Sequence, residues 1–217
     1  MFRKNNITNL LICIFYNVLL LNTYCIVMKT FWTLFILSFC SSMVAQIRFN
    51  NGSFEDEPSD ATTPHGWYEC EELTTPDIFP GVWGVYGEPS DGSTYMGMIT
   101  RPNNTWESIG QRLMEPLEAD NCYVFTIDMA FSRTYAGYNN PLKLRIWLGS
   151  EKCDKGLLIY ESDLINHTEW KTYPVKFNTD KKYTHVILEA YHDDSPVRYK
   201  GNILLDHLTP IKRCSRA

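Results

Sequence analysis

Strict alternation of apolar and polar residues, repeated in run after run, is the feature that most limits what this chain can fold into. In Cys122 to Phe131 (CYVFTIDMAF), Tyr123, Phe125, Ile127, Met129 and Phe131 point one way, while Val124, Thr126 and Asp128 point the other. A period of two places every second side chain on the same face of an extended chain, so this run reads as a half-buried β-strand. Leu142, Leu144, Ile146 and Leu148 alternate with Lys143, Arg145 and Trp147; Tyr173, Val175 and Phe177 alternate with Thr172 and Lys176. Val186, Leu188 and Ala190 continue the series, and further strands are expected at Thr94–Thr100, Trp106–Leu113 and Asn202–Ile211. No helical periodicity is sustained and no internal repeat occurs. About seven or eight short strands, separated by turn-rich segments such as Glu88–Ser93 and Tyr138–Pro141, imply an all-β, two-sheet antiparallel sandwich. The stretch from Asn51 to Ser93, rich in Pro, Gly and aromatic residues with little alternation, reads as long loops over the sandwich edge, a common place for binding sites.

The amino-terminal end has a different composition. None of the 25 Asp and Glu residues and only three of the 20 Lys and Arg residues (Arg3, Lys4, Lys29) lie in residues 1–45. From Met28 the run MKTFWTLFILSFCSSMVAQ reads as a signal peptide, with Lys29 before an apolar Phe31–Phe39 segment and Ala45 before the cleavage point. Residues 1–27 read as an upstream extension or non-native start. A membrane partner is expected only if the apolar segment within residues 6–27 is retained as an anchor. The domain proper is then residues 46–217, with 17 basic residues against 25 acidic ones and a net charge of −8. Such an acidic surface disfavours nucleic acid as a partner. Four cysteines remain in this domain, Cys70, Cys122, Cys153 and Cys214. In a secreted chain they imply two disulfides, with three possible connectivities, and their spacing fits no zinc site.

The run NNGSFEDEP (Asn50–Pro58) followed by HGW (His65–Trp67) resembles the opening of CenC-type carbohydrate-binding modules. GNILLDHLTPI (Gly201–Ile211) is similar to their closing strand, and TWESIGQRL (Thr105–Leu113) and the Trp170 strand stand between them in the expected order. Gly66-Trp67, Pro76-Asp77 and the Asp91–Gly97 segment also resemble small secreted domains of polysaccharide-degrading and gliding bacteria. The resemblance covers nearly all of residues 47–212. It implies a galactose-binding-like jelly roll, a bacterial-surface setting, and a disulfide pairing of Cys122 with Cys214 and Cys70 with Cys153. It also implies a structural Ca2+ bridging Glu55 and Asp206; the alternative is that Glu55 caps a turn and Asp206 bonds backbone amides.

Recognition of a poly- or oligosaccharide requires aromatic platforms flanked by planar polar groups, because a pyranose presents one apolar CH face and a rim of hydroxyls. Strand phase supplies such a set if neighbouring strands align: Trp147, Trp170 and Tyr191 with Arg145, Glu189 and Asp128. A second cluster, Trp83, Tyr86, Tyr95 and Trp106, belongs to the loop region, with Arg101 and Asn103 as polar partners. The His192-Asp193-Asp194 run, followed by Ser-Pro, reads as a solvated turn. No nucleophile elbow, zinc-protease motif, phosphate loop or close array of acids is present. The expectation is therefore a secreted, non-catalytic carbohydrate-binding module. The alternatives are a surface adhesion domain with a protein partner and a jelly-roll glycoside hydrolase.

Overall fold

The computed structural model of the chain describes residues 46–193 and 199–214. Twelve strands follow in chain order among them: β1 (Tyr68–Glu69), β2 (Asp77–Phe79), β3 (Tyr95–Thr100), β4 (Ser108–Leu117), β5 (Cys122–Ala130), β6 (Asn140–Pro141), β7 (Lys143–Gly149), β8 (Leu157–Glu161), β9 (Lys171–Asn178), β10 (Tyr183–Tyr191), β11 (Gly201–Asp206) and β12 (Lys212–Arg213). They form a five-stranded sheet ordered β1-β4-β10-β7-β8 and a seven-stranded sheet built on β12-β5-β11-β3-β2, with β9 paired to β5 and β6 to β11. All pairings are antiparallel except β6 with β11. The architecture is the expected two-sheet sandwich. The leader and the candidate membrane segment lie outside the described residues, and among the described residues no helix is long and apolar enough to cross a membrane.

The alternating runs build the core between the sheets. Tyr123, Phe125, Ile127 and Met129 of β5 meet Ile146 and Leu148 of β7 and Val186 and Leu188 of β10 in one continuous apolar cluster. The central strands β3 and β11 are buried on both faces. A second, smaller cluster explains this: Phe79, Val85, Tyr95, Ile99, Ala130, Tyr135 and Leu204 pack on the outer side of the seven-stranded sheet. Alternation is weaker there in sequence because both phases are removed from water.

Disulfides join Cys122 to Cys214 and Cys70 to Cys153. Cys122 opens β5, β12 pairs with that strand, and the Cys214 amide donates to the Cys122 carbonyl at 2.9 Å. The Asn50–Trp67 motif works as a scaffold. The Asn51 side chain brackets the Glu55 backbone, accepting from its N–H at 2.7 Å and donating to its carbonyl at 3.1 Å, while the Trp67 indole donates to the Asn51 carbonyl at 3.1 Å.

Candidate functional site

The outer face of the five-stranded sheet carries its side chains in register. Tyr68, Gly110, Ile187, Trp147 and Leu158 form one row across five strands. Ser108, Glu189, Arg145 and Glu161 form the next row, and Tyr191 lies beside Lys143 in the one after. Trp106, just ahead of β4, reaches the same level, with its ring edge-on to Tyr191 at a centroid separation of 6.2 Å.

The middle of the first row is roofed, while Leu158 at its end is exposed. Ile187 faces away from the core and is nonetheless fully buried, as is Glu189 at 2% exposure. The cover is the Cys70–Cys153 bridge with the loop that follows β7. A Cβ on Gly110 would stand 2.9 Å from the Tyr68 ring and 3.0 Å from Cys70 Sγ, and one on Gly149 would stand 2.2 Å from the Asp154 carbonyl oxygen. Only glycine lets the bridge and the loop settle so close to these strands. Lys155 ties the roof down, its ammonium bonded to Glu189 beneath and to Glu71 at 2.7 Å. Burial works against that charge, but the bonds to Glu189 and Glu71 outweigh it and hold the Lys155 pKa above its ordinary value. Burial also pushes the Tyr68 phenol up to about 12. Trp147 lies on the expected sheet face but is partly buried in the roofed row, its Nε1 out of contact with water.

Beyond the roof the character of the face changes. The Arg145 guanidinium lies 3.3 Å from the centre of the Tyr191 ring, and its Nε donates to Glu161 at 2.7 Å. Lys143 reaches Asp193 at 2.9 Å and Glu161 at 3.6 Å. Trp106, Tyr191, Arg145 and Lys143 are half-buried and Glu161 is exposed. Two aromatic rings, a fixed planar cation and a carboxylate thus occupy a single patch.

The expected platform is therefore divided. Arg145, Glu189, Tyr191 and Trp147 share a face, but Trp170 and Asp128 belong to the other sheet, because β9 and β5 pair with each other there. Trp170 donates its Nε1 to the Glu88 carbonyl at 2.9 Å and meets the Tyr95 ring edge-on at 5.2 Å. Asp128 is buried, accepting from the Ser90 hydroxyl and lying 3.3 Å from His207 Nδ1. The second cluster also separates. Tyr95 is buried at 1% exposure and Trp106 joins Tyr191, leaving Trp83 (48% exposed) and Tyr86 (72% exposed) on the loops. Arg101 is bound to Glu107 at 2.6 Å, and Asn103 accepts from the Thr105 hydroxyl within its own turn. His192 corrects the turn expectation: it is buried and stacked 4.9 Å from Tyr199, while Asp193 stays exposed and Asp194 lies outside the described residues.

Glu55 and Asp206 converge on one loop rather than on one point. Glu55 accepts from the Ser93 amide at 2.9 Å and the Thr94 amide at 3.3 Å. Asp206 accepts from Ser90 and Asp91 at 2.8 and 2.9 Å and from the His207 amide at 2.7 Å. Burial pushes the Asp206 carboxyl up to about 6 although those amides favour its ionised form. Among the described residues no group of three or more His, Cys, Asp or Glu side chains is gathered to hold a metal. Calcium takes about six to eight oxygens. The two carboxylates clamp the 88–94 loop through its amides.

No protein-family model matches the sequence, and no curated protein matches it. Among solved structures, the chain is similar to the CBM22-1 xylan-binding domain of Paenibacillus barcinonensis Xyn10C, with 14% identity and a TM-score of 0.50 over 82% of this chain and 100% of that one. It is similar to the CBM22-1-CBM22-2 tandem of the same protein at 15% identity and a TM-score of 0.52, over 82% of this chain and 47% of the tandem. It is also similar to the K3 cleaved adhesin domain of Lys-gingipain from Porphyromonas gingivalis w83, at 13% identity and a TM-score of 0.50, over 77% of this chain and 98% of that one. At such identities the likeness establishes the fold: a jelly-roll sandwich of the kind built by carbohydrate-binding modules.

Proposed function

We propose that this chain is a secreted, non-catalytic carbohydrate-binding module of the CenC-type group, delivered by the signal peptide read at residues 28–45. It takes a poly- or oligosaccharide on the unroofed end of the five-stranded sheet. The observation that carries this reading is the stack of Arg145 on Tyr191 at 3.3 Å, with Trp106 edge-on to the same tyrosine at 6.2 Å. One face of Tyr191 is occupied by the guanidinium, so Tyr191 positions its neighbours and Trp106 offers the platform for the CH face of a sugar. Arg145, held by Glu161, presents its remaining N–H groups to ring hydroxyls, and Glu161 accepts from them. The two disulfides agree with an oxidising compartment.

A glycan array followed by isothermal titration against the best-bound oligosaccharide tests this reading. Trp106→Ala should weaken binding by about 1 to 3 kcal/mol, the scale of one large apolar contact. Arg145→Ala should weaken it further, and Trp147→Ala should leave affinity unchanged. Undiminished binding by Trp106→Ala would move the site off this face.

A further inference from the structure

We propose a second, independent saccharide site on the outer side of the seven-stranded sheet, a recess beside Trp83 that takes a single terminal pyranose ring of a neutral glycan. Trp83 is 48% exposed, and its backbone φ of +49° lies in the left-handed region that a bulky residue rarely adopts. The turn carrying it is fixed. Gly81 N–H donates to the Val85 carbonyl at 2.8 Å, Val85 N–H to the Val82 carbonyl at 2.9 Å, and Ala136 N–H to the Trp83 carbonyl at 2.9 Å. A left-handed backbone thus sets a half-exposed indole in the lining of the recess, beside Asp77.

The other lining residues of the recess carry polar groups. Arg101 gives its Nη2 to Glu107 at 2.6 Å and to Thr75 at 3.0 Å, while its Nη1 is buried without a partner. Arg101, Thr75, Asp77, Tyr138 and Trp83 line the same recess of about 210 Å³. An indole beside hydroxyl, carboxyl and guanidinium groups matches a pyranose, with its CH face and its rim of hydroxyls. The volume suits one ring, and the occupant inferred is the end of a chain. Glu107, buried against Arg101, offsets the guanidinium, and Asp77 adds a further carboxyl to the wall. The recess therefore carries no excess positive charge that would select an acidic sugar. With the Trp106 patch on the other sheet, a single molecule would hold two glycan segments at once.

NMR titration of the protein with a panel of methyl pyranosides (gluco, galacto, manno and xylo) tests the proposal, using the indole N–H signals of Trp83 and Trp106 as separate reporters. The expected result is a shift at Trp83 with at least one pyranoside, retained in Trp106→Ala, with the affinity read at the Arg101 and Tyr138 signals weakened about tenfold or more in Trp83→Asn. Asn tolerates the left-handed turn, so this variant should keep its melting temperature. No response at Trp83 with any of the pyranosides, or an unaltered response of the Arg101 and Tyr138 signals in Trp83→Asn, overturns the second site. The Trp106 reporter judges the first site separately.

Discussion

Lys155→Met is the most direct probe of the roof over the sheet face. Glu189 is 2% exposed, and its partners are the Lys155 ammonium and Arg145 Nη1 at 4.0 Å. Removing one member of a buried ion pair leaves an uncompensated charge and costs about 3 to 5 kcal/mol. Arg145 remains near, and Lys155 itself is 25% exposed in its side chain, so the expected cost sits at the low end, about 3 kcal/mol. For a domain of this size that corresponds to a fall of about 6 to 12 °C in melting temperature. Adding Glu189→Gln to Lys155→Met removes the stranded charge and should recover at least about 1 kcal/mol, a coupling visible only if the two side chains interact. Glu71→Ala, at the exposed end of the same lysine, should cost no more than about 1 kcal/mol. Urea unfolding at neutral pH measures all of these. A Lys155→Met variant that loses less than about 1 kcal/mol, or a double variant no more stable than the single one, would show that this pair does not anchor the roof.

Trp147→Ala should behave as a truncation beneath a cover, losing about 3 kcal/mol in urea unfolding; a loss below about 1 kcal/mol would mean the indole is not packed there. Stability should rise as pH falls from about 7 toward about 5, since burial raises the Asp206 carboxyl to about 6 and also raises Glu107 and Asp77, so the folded chain binds protons more tightly than the unfolded one. Asp206→Asn should flatten that rise, and a melting temperature that declines steadily over the same range contradicts the assignment. Chelation should leave the melting temperature unchanged, because amides satisfy Glu55 and Asp206; a clear drop in EDTA that is reversed by calcium would restore the ion the family resemblance implies.

The strands and their inward faces were legible in the sequence because a period of two is a local property. Tyr123 to Met129, Leu144 to Leu148 and Val186 to Ala190 face the core as their alternation requires. Strands such as β8, an edge strand reading LLIYE with a register shift against β7, gave no such signal. The sequence also placed Arg145, Trp147, Glu189 and Tyr191 on one non-core phase.

What remained for the tertiary structure was which sheet each strand joined and what lay over each face. Phase states the side of a strand on which a residue stands, but not the strand's neighbour, so Trp170 and Asp128 came to the opposite sheet and Trp106 came to Tyr191. Cover is more distant still. The roof over Trp147 joins Cys70 to Cys153 across 83 residues, and the loop clamped by Glu55 and Asp206 closes over separations of 38 and 116 residues. Contacts of that range follow from chain topology and loop packing, which no short window of sequence encodes.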